Sequence, residues 1–206
     1  MSRTEDEVAQ LLQGIFELDY KKYFLFCGAI EPKKNVSRLV DAYLASGTDC
    51  PLVIAGGLGW DYEQDLAKIE RKEYLRYRIV DSTVLSESRV RRFGHIPYSH
   101  LITLIQGARA LLFPSLYEGF GLPVLEAMLL GTPVLTSNVS SLPEVAGGAA
   151  LFVDPLETTF IAQGIRRLDR DKDLRYELKT KGIKQASIFS EENYRKTIQA
   201  LYSTFA

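Results

Sequence analysis

The chain has 206 residues, 25 Lys+Arg against 26 Asp+Glu, a formal net charge of −1, and 46% apolar residues. Ordinary hydrophobicity at near-zero charge excludes intrinsic disorder, and 15 Gly with 8 Pro exclude a collagen-like or low-complexity chain. There is no basic excess, so no nucleic-acid partner is expected, and the length suits one domain, or a domain and a tail, while being short for a two-domain enzyme.

Two cysteines and two histidines cannot complete a four-ligand zinc site at any usual spacing, so no metal site is expected. Cys27 and Cys50 each lie beside an apolar run and read as buried free thiols of a reducing compartment. The longest apolar runs, such as Tyr23 to Ile30, stop far short of the ~20 residues of a spanning helix. The N-terminal MSRTEDEV is acidic and lacks the apolar core of a signal peptide. The expectation is a soluble, cytoplasmic chain, with peripheral membrane contact left open.

In chain order, Val8, Leu11, Leu12, Ile15 and Phe16 share one helical face. Tyr23 to Cys27 is a continuous apolar run ending at Gly28, as a strand covered on both sides should be. Val36, Leu39, Val40, Tyr43 and Leu44 recur at helical spacing, and Leu52 to Ala55 is a second strand stopped by Gly56 and Gly57. A charged helix is expected from about Asp61 to Tyr74, then mostly loop from Arg76 to Ser88, then a strand from Val90 to Phe93. Leu101, Leu104, Ile105 and Ala108 mark a helix leading to the strand Ala110 to Phe113.

A Gly-rich turn follows, then a helix from about Pro123 to Leu130, with Pro123 at an early helical position and Gly131 at the stop. Pro133 to Thr136 and Ala149 to Val153 read as strands. The last 50 residues read as helices over 156–168, 171–186 and 190–205, the last one capped by Ser190. Alternating strands and helices with short loops imply right-handed crossovers and a parallel sheet. Ligands of such sheets bind beyond the carboxyl ends of the strands, at 28–35, 56–60, 94–99, 114–122 and 137–143 here.

The segment Pro114-Ser-Leu-Tyr-Glu-Gly-Phe-Gly-Leu-Pro-Val-Leu-Glu126 follows a strand and opens a helix. Gly119 and Gly121 permit close backbone approach, and the turn and helix-start amides suit an anion. Glu126, one turn into the helix, can face the same ligand, while Glu118 stands before the turn. An anion cradle between two carboxylates makes sense if the amides take phosphate and the carboxylates take hydroxyls, which is the pattern of a nucleotide sugar. A lone G-x-G favours the plainer reading, a shaped turn with both Glu exposed. Two Glu at this spacing around Gly-Phe-Gly-Leu-Pro form a longer and more specific pattern. Lys33 and Lys34, judged alone, fit either a solvated helix start or an anion site.

This stretch resembles the E-x7-E signature of retaining glycosyltransferases of the GT-B fold, especially glycosyltransferase family 4. Four further landmarks agree in order. Gly28-Ala-Ile-Glu-Pro-Lys-Lys-Asn35 is similar to the family's phosphate-binding loop, and Phe93-Gly-His-Ile-Pro97 to its nucleobase-side segment. Ser140 to Val145 and Ala149 to Pro155 match later landmarks.

The resemblance implies an α/β fold: a Rossmann-like three-layer α/β/α domain with a parallel sheet of about six strands, one half of a GT-B fold. It implies a linker or edge helix over 1–20, a nucleotide-sugar-binding domain over 21–188, and a C-terminal helix over 189–206 returning toward an N-terminal acceptor domain. It assigns Glu118 and Lys34 to catalysis, with Glu118 at the hydroxyls of the transferred sugar and Lys34 on the diphosphate. Glu126 would hold the ribose hydroxyls. Gly28, Lys33, Ile96, Gly119, Phe120, Gly121 and Leu122 complete the substrate-binding set. Ala29 stands where many members carry arginine, and Lys33 is the alternative second cation.

The implied reaction is metal-independent transfer from a GDP- or UDP-linked sugar, GDP-mannose among them, to a glycan or lipid-linked acceptor, with no cofactor beyond the donor. The partners implied are the nucleotide sugar and an acceptor domain, in cis or as a separate subunit. The other readings are a non-catalytic nucleotide-sugar module, a subunit of a split enzyme, and a nucleotide-sugar epimerase. A glycosidase pair is set aside because the two acids surround an anion cradle.

Among weaker features, His95 reads as shaping the backbone beside the nucleobase, and His100 as exposed. Trp60 lines the cleft or packs over the sheet edge. The stripe Tyr194, Ile198, Leu201 and Phe205 reads as core, with part of it available as interface.

Overall fold

The structure is a computed structural model that describes residues 3–71, 74–80 and 83–204, with backbone alone for 76–80 and 83–86. Four fully buried strands form its centre: β1 (Phe24–Cys27), β2 (Leu52–Ala55), β6 (Ala110–Phe113) and β7 (Val134–Ser137). Each carries consecutive apolar or small residues because both faces are covered by helices. With β5 (Val90–Phe93) and β8 (Leu151–Val153) they make a six-stranded parallel sheet in the order β5-β2-β1-β6-β7-β8.

Helices cover both faces, giving three layers. On one face α2 (Val36–Ser46) packs against α3 (Glu63–Ile69) and α7 (Thr158–Arg170). On the other, α4 (Tyr98–Gly107) packs against α1 (Glu5–Phe16) and α5 (Leu122–Leu129). There α5 meets α6 (Leu142–Ala146) and α8 (Lys172–Ala186). The α1 helix buries Val8, Leu12 and Phe16, and Thr4 closes its start with a capping box. Its packing on α4 roofs the lower half of the core.

From β1 the chain winds outward through β2 to β5, then returns to β6 and winds the other way to β8. The winding therefore reverses between β1 and β6. Loops leaving neighbouring strands at such a reversal splay apart and leave a crevice at their carboxyl ends.

Several expectations need correction. Residues 75–80 and 83–88 are strands rather than loop, with β3 (Leu75–Val80) antiparallel to β4 (Thr83–Ser88) in the register Leu75↔Ser88. Tyr77 and Ile79 alternate with Arg76 and Arg78, a strand period that the charge density hid. The charged helix is shorter than 61–74, covering Glu63–Ile69. The final helix α9 (Glu191–Ser203) is not core: it buries no residue, and Tyr194 and Leu201 are 70% and 52% exposed. It touches the rest through the 3-10 turn Ser187–Phe189, too narrow a contact to cover its apolar stripe. Phe205, assigned to that stripe, lies outside the described residues. Ser190 caps α9 as expected, its side chain accepting from the Asn193 amide. His100 is half-buried, edge-on to Phe16 at 6.0 Å between ring centroids. Trp60 is 59% exposed. Cys27 and Cys50 are both free thiols, Cys27 buried as expected and Cys50 only half-buried.

Candidate active site

The site grows from the two loops that flank the reversal. Leaving β1, the chain passes Gly28 and makes a 3-10 turn at Pro32–Lys34. The neighbouring loop after β2 crosses it so closely that a Cβ on Gly56 would lie 1.9 Å from the Gly28 carbonyl oxygen. Asn35 ends the turn in the left-handed region, at φ 61, and starts α2. Asparagine tolerates that conformation, and its side chain is buried. Its amide donates to the carbonyls of Pro114, at 2.9 Å, and Pro155, at 2.8 Å. The Leu116 amide donates to the Lys33 carbonyl at 2.7 Å. The loops after β1, β6 and β8 are thereby fastened to one another.

This fastening brings Lys34 to Glu118. The ammonium lies 2.6 Å from Oε1, with the side chains 12% and 9% exposed, and 5.0 Å above the Phe113 ring. Glu118 is held from the other side as well. Its amide donates to Ser140 Oγ at 3.1 Å, and Ser141 Oγ donates to the carbonyls of Glu118, at 3.0 Å, and Phe120, at 2.9 Å. Lys33 points elsewhere: its ammonium is 3.2 Å from Glu31 and its side chain is 45% exposed.

The turn into α5 completes the cradle. Gly121 is the N-cap at φ 98, and a Cβ there would meet Leu142 Cδ2 at 2.8 Å. A Cβ on Gly119 would meet nothing within 4 Å. Among the described residues, no protein acceptor takes the amides of Gly119, Phe120, Gly121 or Leu122. Those amides stand at the positive end of α5, beside the Lys34 ammonium. Phe120 and Leu122 are exposed at the rim, Phe120 edge-on to Phe189 at 5.7 Å.

Glu126 is half-buried one turn into α5 and accepts from the Tyr98 hydroxyl, at 3.2 Å. Its charge, with a smaller contribution from burial, raises the Tyr98 phenol above its ordinary range. Ile96, half-buried against the core, leads into α4 two residues before Tyr98. Cys27, at the end of β1, has its thiol pushed up to about 12, mainly by burial and then by Glu126, with Lys34 opposing. It is a neutral packing residue, not a nucleophile.

Of the expected site residues, Lys34, Glu118, Glu126 and the 119–122 turn converge on this crevice. Lys33 does not join them. Asn35, Tyr98, Ser140 and Ser141 serve the site without having been singled out as site residues. Asn35, Ser140 and Ser141 fall inside the quoted landmarks, which was the available signal. Among the described residues no group of three His, Cys, Asp or Glu is placed to hold a metal ion.

A three-layer domain with a parallel sheet and a crevice at its winding reversal is a doubly wound domain of the α/β class. Comparison with known proteins sharpens that. Residues 12–185 match the family Glycosyl transferases group 1, and the chain belongs to it. It is 36% identical over 195 residues to O-antigen chain mannosyltransferase B of Escherichia coli, covering 93% of this chain and 48% of that protein. It is 33% identical to the serotype-specific mannosyltransferase WbdA of Escherichia coli, covering 84% and 20%. The chain thus spans about half or less of these relatives.

Among solved structures, Anabaena HepE in complex with UDP and glucose superposes with a TM-score of 0.80 at 20% identity, covering 98% of this chain and 53% of that one. Sucrose-phosphate synthase from Thermosynechococcus elongatus superposes with a TM-score of 0.76 at 23% identity, covering 98% and 51%. These likenesses establish the fold, the domain of GT-B glycosyltransferases.

Proposed function

We propose that the chain is the donor-binding half of a retaining glycosyltransferase that takes its sugar from a nucleoside-diphosphate sugar and passes it to a glycan or lipid-linked acceptor. The observation that carries this reading is the buried Lys34–Glu118 contact at the mouth of the amide cradle, with Glu126 on the adjoining helix. Each feature suits a different part of one donor. The amides of 119–122 and the Lys34 ammonium form a preorganised positive field for the diphosphate, strongest where leaving-group charge develops. Glu126, oriented by Tyr98, accepts from ribose hydroxyls. Glu118 accepts from hydroxyls of the transferred sugar. The mannosyltransferase relatives make GDP-mannose the first donor to test.

The acceptor side is assigned to an N-terminal domain, in cis or on a separate subunit, and the exposed stripe of α9 is a surface for it. The reading places the enzyme in the cytoplasm, at the inner membrane face when the acceptor is lipid-linked. No helix among the described residues is long and apolar enough to cross a membrane.

Calorimetry of this chain with GDP, UDP, GDP-mannose and UDP-glucose tests the reading. Weak binding of at least one diphosphate, lost in Glu126→Ala, is expected. Absence of binding at millimolar concentration for all four would overturn it. In the assembled enzyme Glu118→Ala should lower transfer far more than donor binding, and equal losses would make Glu118 a plain binding residue.

A further inference from the structure

At the opposite end of the sheet, where strands begin, lies a pocket of about 400 Å³. Six of its ten lining residues are cations, Lys21, Lys22, Arg109, Lys172, Arg175 and Lys179, and none is acidic. Three of the cations form a fixed floor. Lys21 donates to the carbonyls of Gln106, at 2.6 Å, and Ala108, at 3.0 Å. Arg109 pairs with Asp169, and its Nε donates to the Lys21 carbonyl at 2.9 Å. Arg175 donates to the carbonyls of Leu168, at 2.6 Å, and Asp169, at 2.9 Å.

The other three stand at the mouth. Lys22 pairs with Asp19 in solvent, while Lys172 and Lys179 have no acidic partner among the described residues. Lys172 is the first residue of α8, flanked by the N-cap Asp171, whose side chain accepts from the Leu174 amide, and by Asp173. Asp169, Asp171, Asp173, Asp19 and Glu5 offset much of this charge from outside the lining, while the lining itself stays cationic. The Lys21 ammonium is lowered to about 8, mainly by burial and then by Lys179, with Glu5 opposing. Arg175 is lowered by burial and by Arg109. Protein charges thus crowd one another around a space that a multiply charged anion would relieve.

We propose that this pocket is a binding site for a phosphate group, separate from the donor cradle, with Arg109 and Arg175 fixed at its base and Lys172 and Lys179 closing over the anion. A tetrahedral phosphate matches the cationic lining, and guanidinium groups suit its oxygens. The phosphate comes either from a soluble phosphorylated molecule or from a phospholipid headgroup.

The test is an NMR titration of the full chain with inorganic phosphate, against sodium chloride at matched ionic strength. Phosphate-specific shifts are expected at the amides of Lys172 and Tyr176, saturating independently of any shifts at 119–122. Lys172→Ala with Lys179→Ala should weaken the 172–176 response by about tenfold or more, leaving a response at 119–122 unchanged. Both substitutions are on an exposed helix face, so folding is kept. Shifts confined to 119–122, equal shifts in chloride, or an unaltered response in the double variant would each overturn the proposal. Sedimentation with phosphatidylcholine vesicles, with and without phosphatidylglycerol, then separates the sources. Capture by the anionic vesicles, lost in the double variant, assigns a lipid headgroup. A phosphate response without capture assigns a soluble ligand.

Discussion

Replacing Lys34 by Met tests the central contact of the site. The ammonium and carboxylate are 2.6 Å apart and almost fully withdrawn from solvent, at 12% and 9% exposure. Lys34→Met leaves the Glu118 carboxylate buried without its cation, and breaking a buried pair from one side costs about 3–5 kcal/mol. The residual exposure of both side chains places the expected loss near the lower figure, about 3 kcal/mol. Glu118→Gln keeps an oxygen that accepts from the ammonium but removes its counter-charge, so it should cost about 2 kcal/mol. The double variant holds no uncompensated charge, so its loss should fall short of the sum of the single losses by about 2 kcal/mol. Urea unfolding at neutral pH, with unchanged slope, reads all three quantities. The nucleotide adds an independent reading: GDP or UDP should bind Glu118→Gln at least as well as the parent, because a carboxylate beside the diphosphate is gone. Binding to Lys34→Met should fall. A Lys34→Met variant as stable as the parent, or additive single losses, would refute the buried-pair reasoning. Loss of diphosphate binding in Glu118→Gln would refute the division of roles.

Three further outcomes are expected. Lys21, lowered to about 8 from its ordinary 10.5 by burial and by Lys179, with Glu5 opposing, loses its proton in the folded chain before the unfolded one. The unfolded state then holds more protons between these values, so stability should rise from about pH 8 toward 10.5, by at most about 3 kcal/mol; a flat or falling unfolding midpoint in that window, measured against Lys21→Met, would exclude it. Gly121→Ala should cost about 1–3 kcal/mol, from its φ of 98 and the 2.8 Å approach to Leu142. Gly119→Ala should leave the thermal midpoint unchanged but weaken diphosphate binding, and equal destabilisation of the two would remove the argument from close approach. Tyr98→Phe, at an exposed position, should leave stability within about 0.5 kcal/mol while weakening nucleotide binding; unchanged calorimetric affinity would mean that the hydroxyl does not orient Glu126.

Much of the fold was legible because its strongest constraint is local. Phe24–Cys27, Leu52–Ala55 and Ala110–Phe113 are unbroken apolar runs, and a run that short between turn residues has few homes other than a strand covered on both faces. The β3–β4 pair is outside the main sheet, so its strands need no continuous apolar run, and its arginines gave it the look of a solvated loop. The α9 stripe failed for a different reason. Helical periodicity shows that a face is apolar, but it carries no information on whether the surface that covers the face belongs to the same domain. Lys33 and Lys34 show the same limit at atomic scale. Adjacent and chemically alike, they differ because the turn sends one to Glu118 and the other to Glu31.

What the structure adds to the site is the means by which distant segments are held in register. Glu118 and Lys34 are 84 residues apart, and neither loop alone fixes their separation. Asn35 settles it by joining the carbonyls after β6 and β8 through one side-chain amide. That requires a short side chain, two donors and tolerance of a left-handed backbone at one position, which asparagine combines. Ser140 and Ser141 close the opposite side by capturing the amide and carbonyl of Glu118. The carboxylate is thus fixed through its backbone from α6 and through its charge from the β1 loop. A group so constrained before any ligand arrives has little left to order on binding, which is the condition under which a single carboxylate can discriminate the position of one hydroxyl.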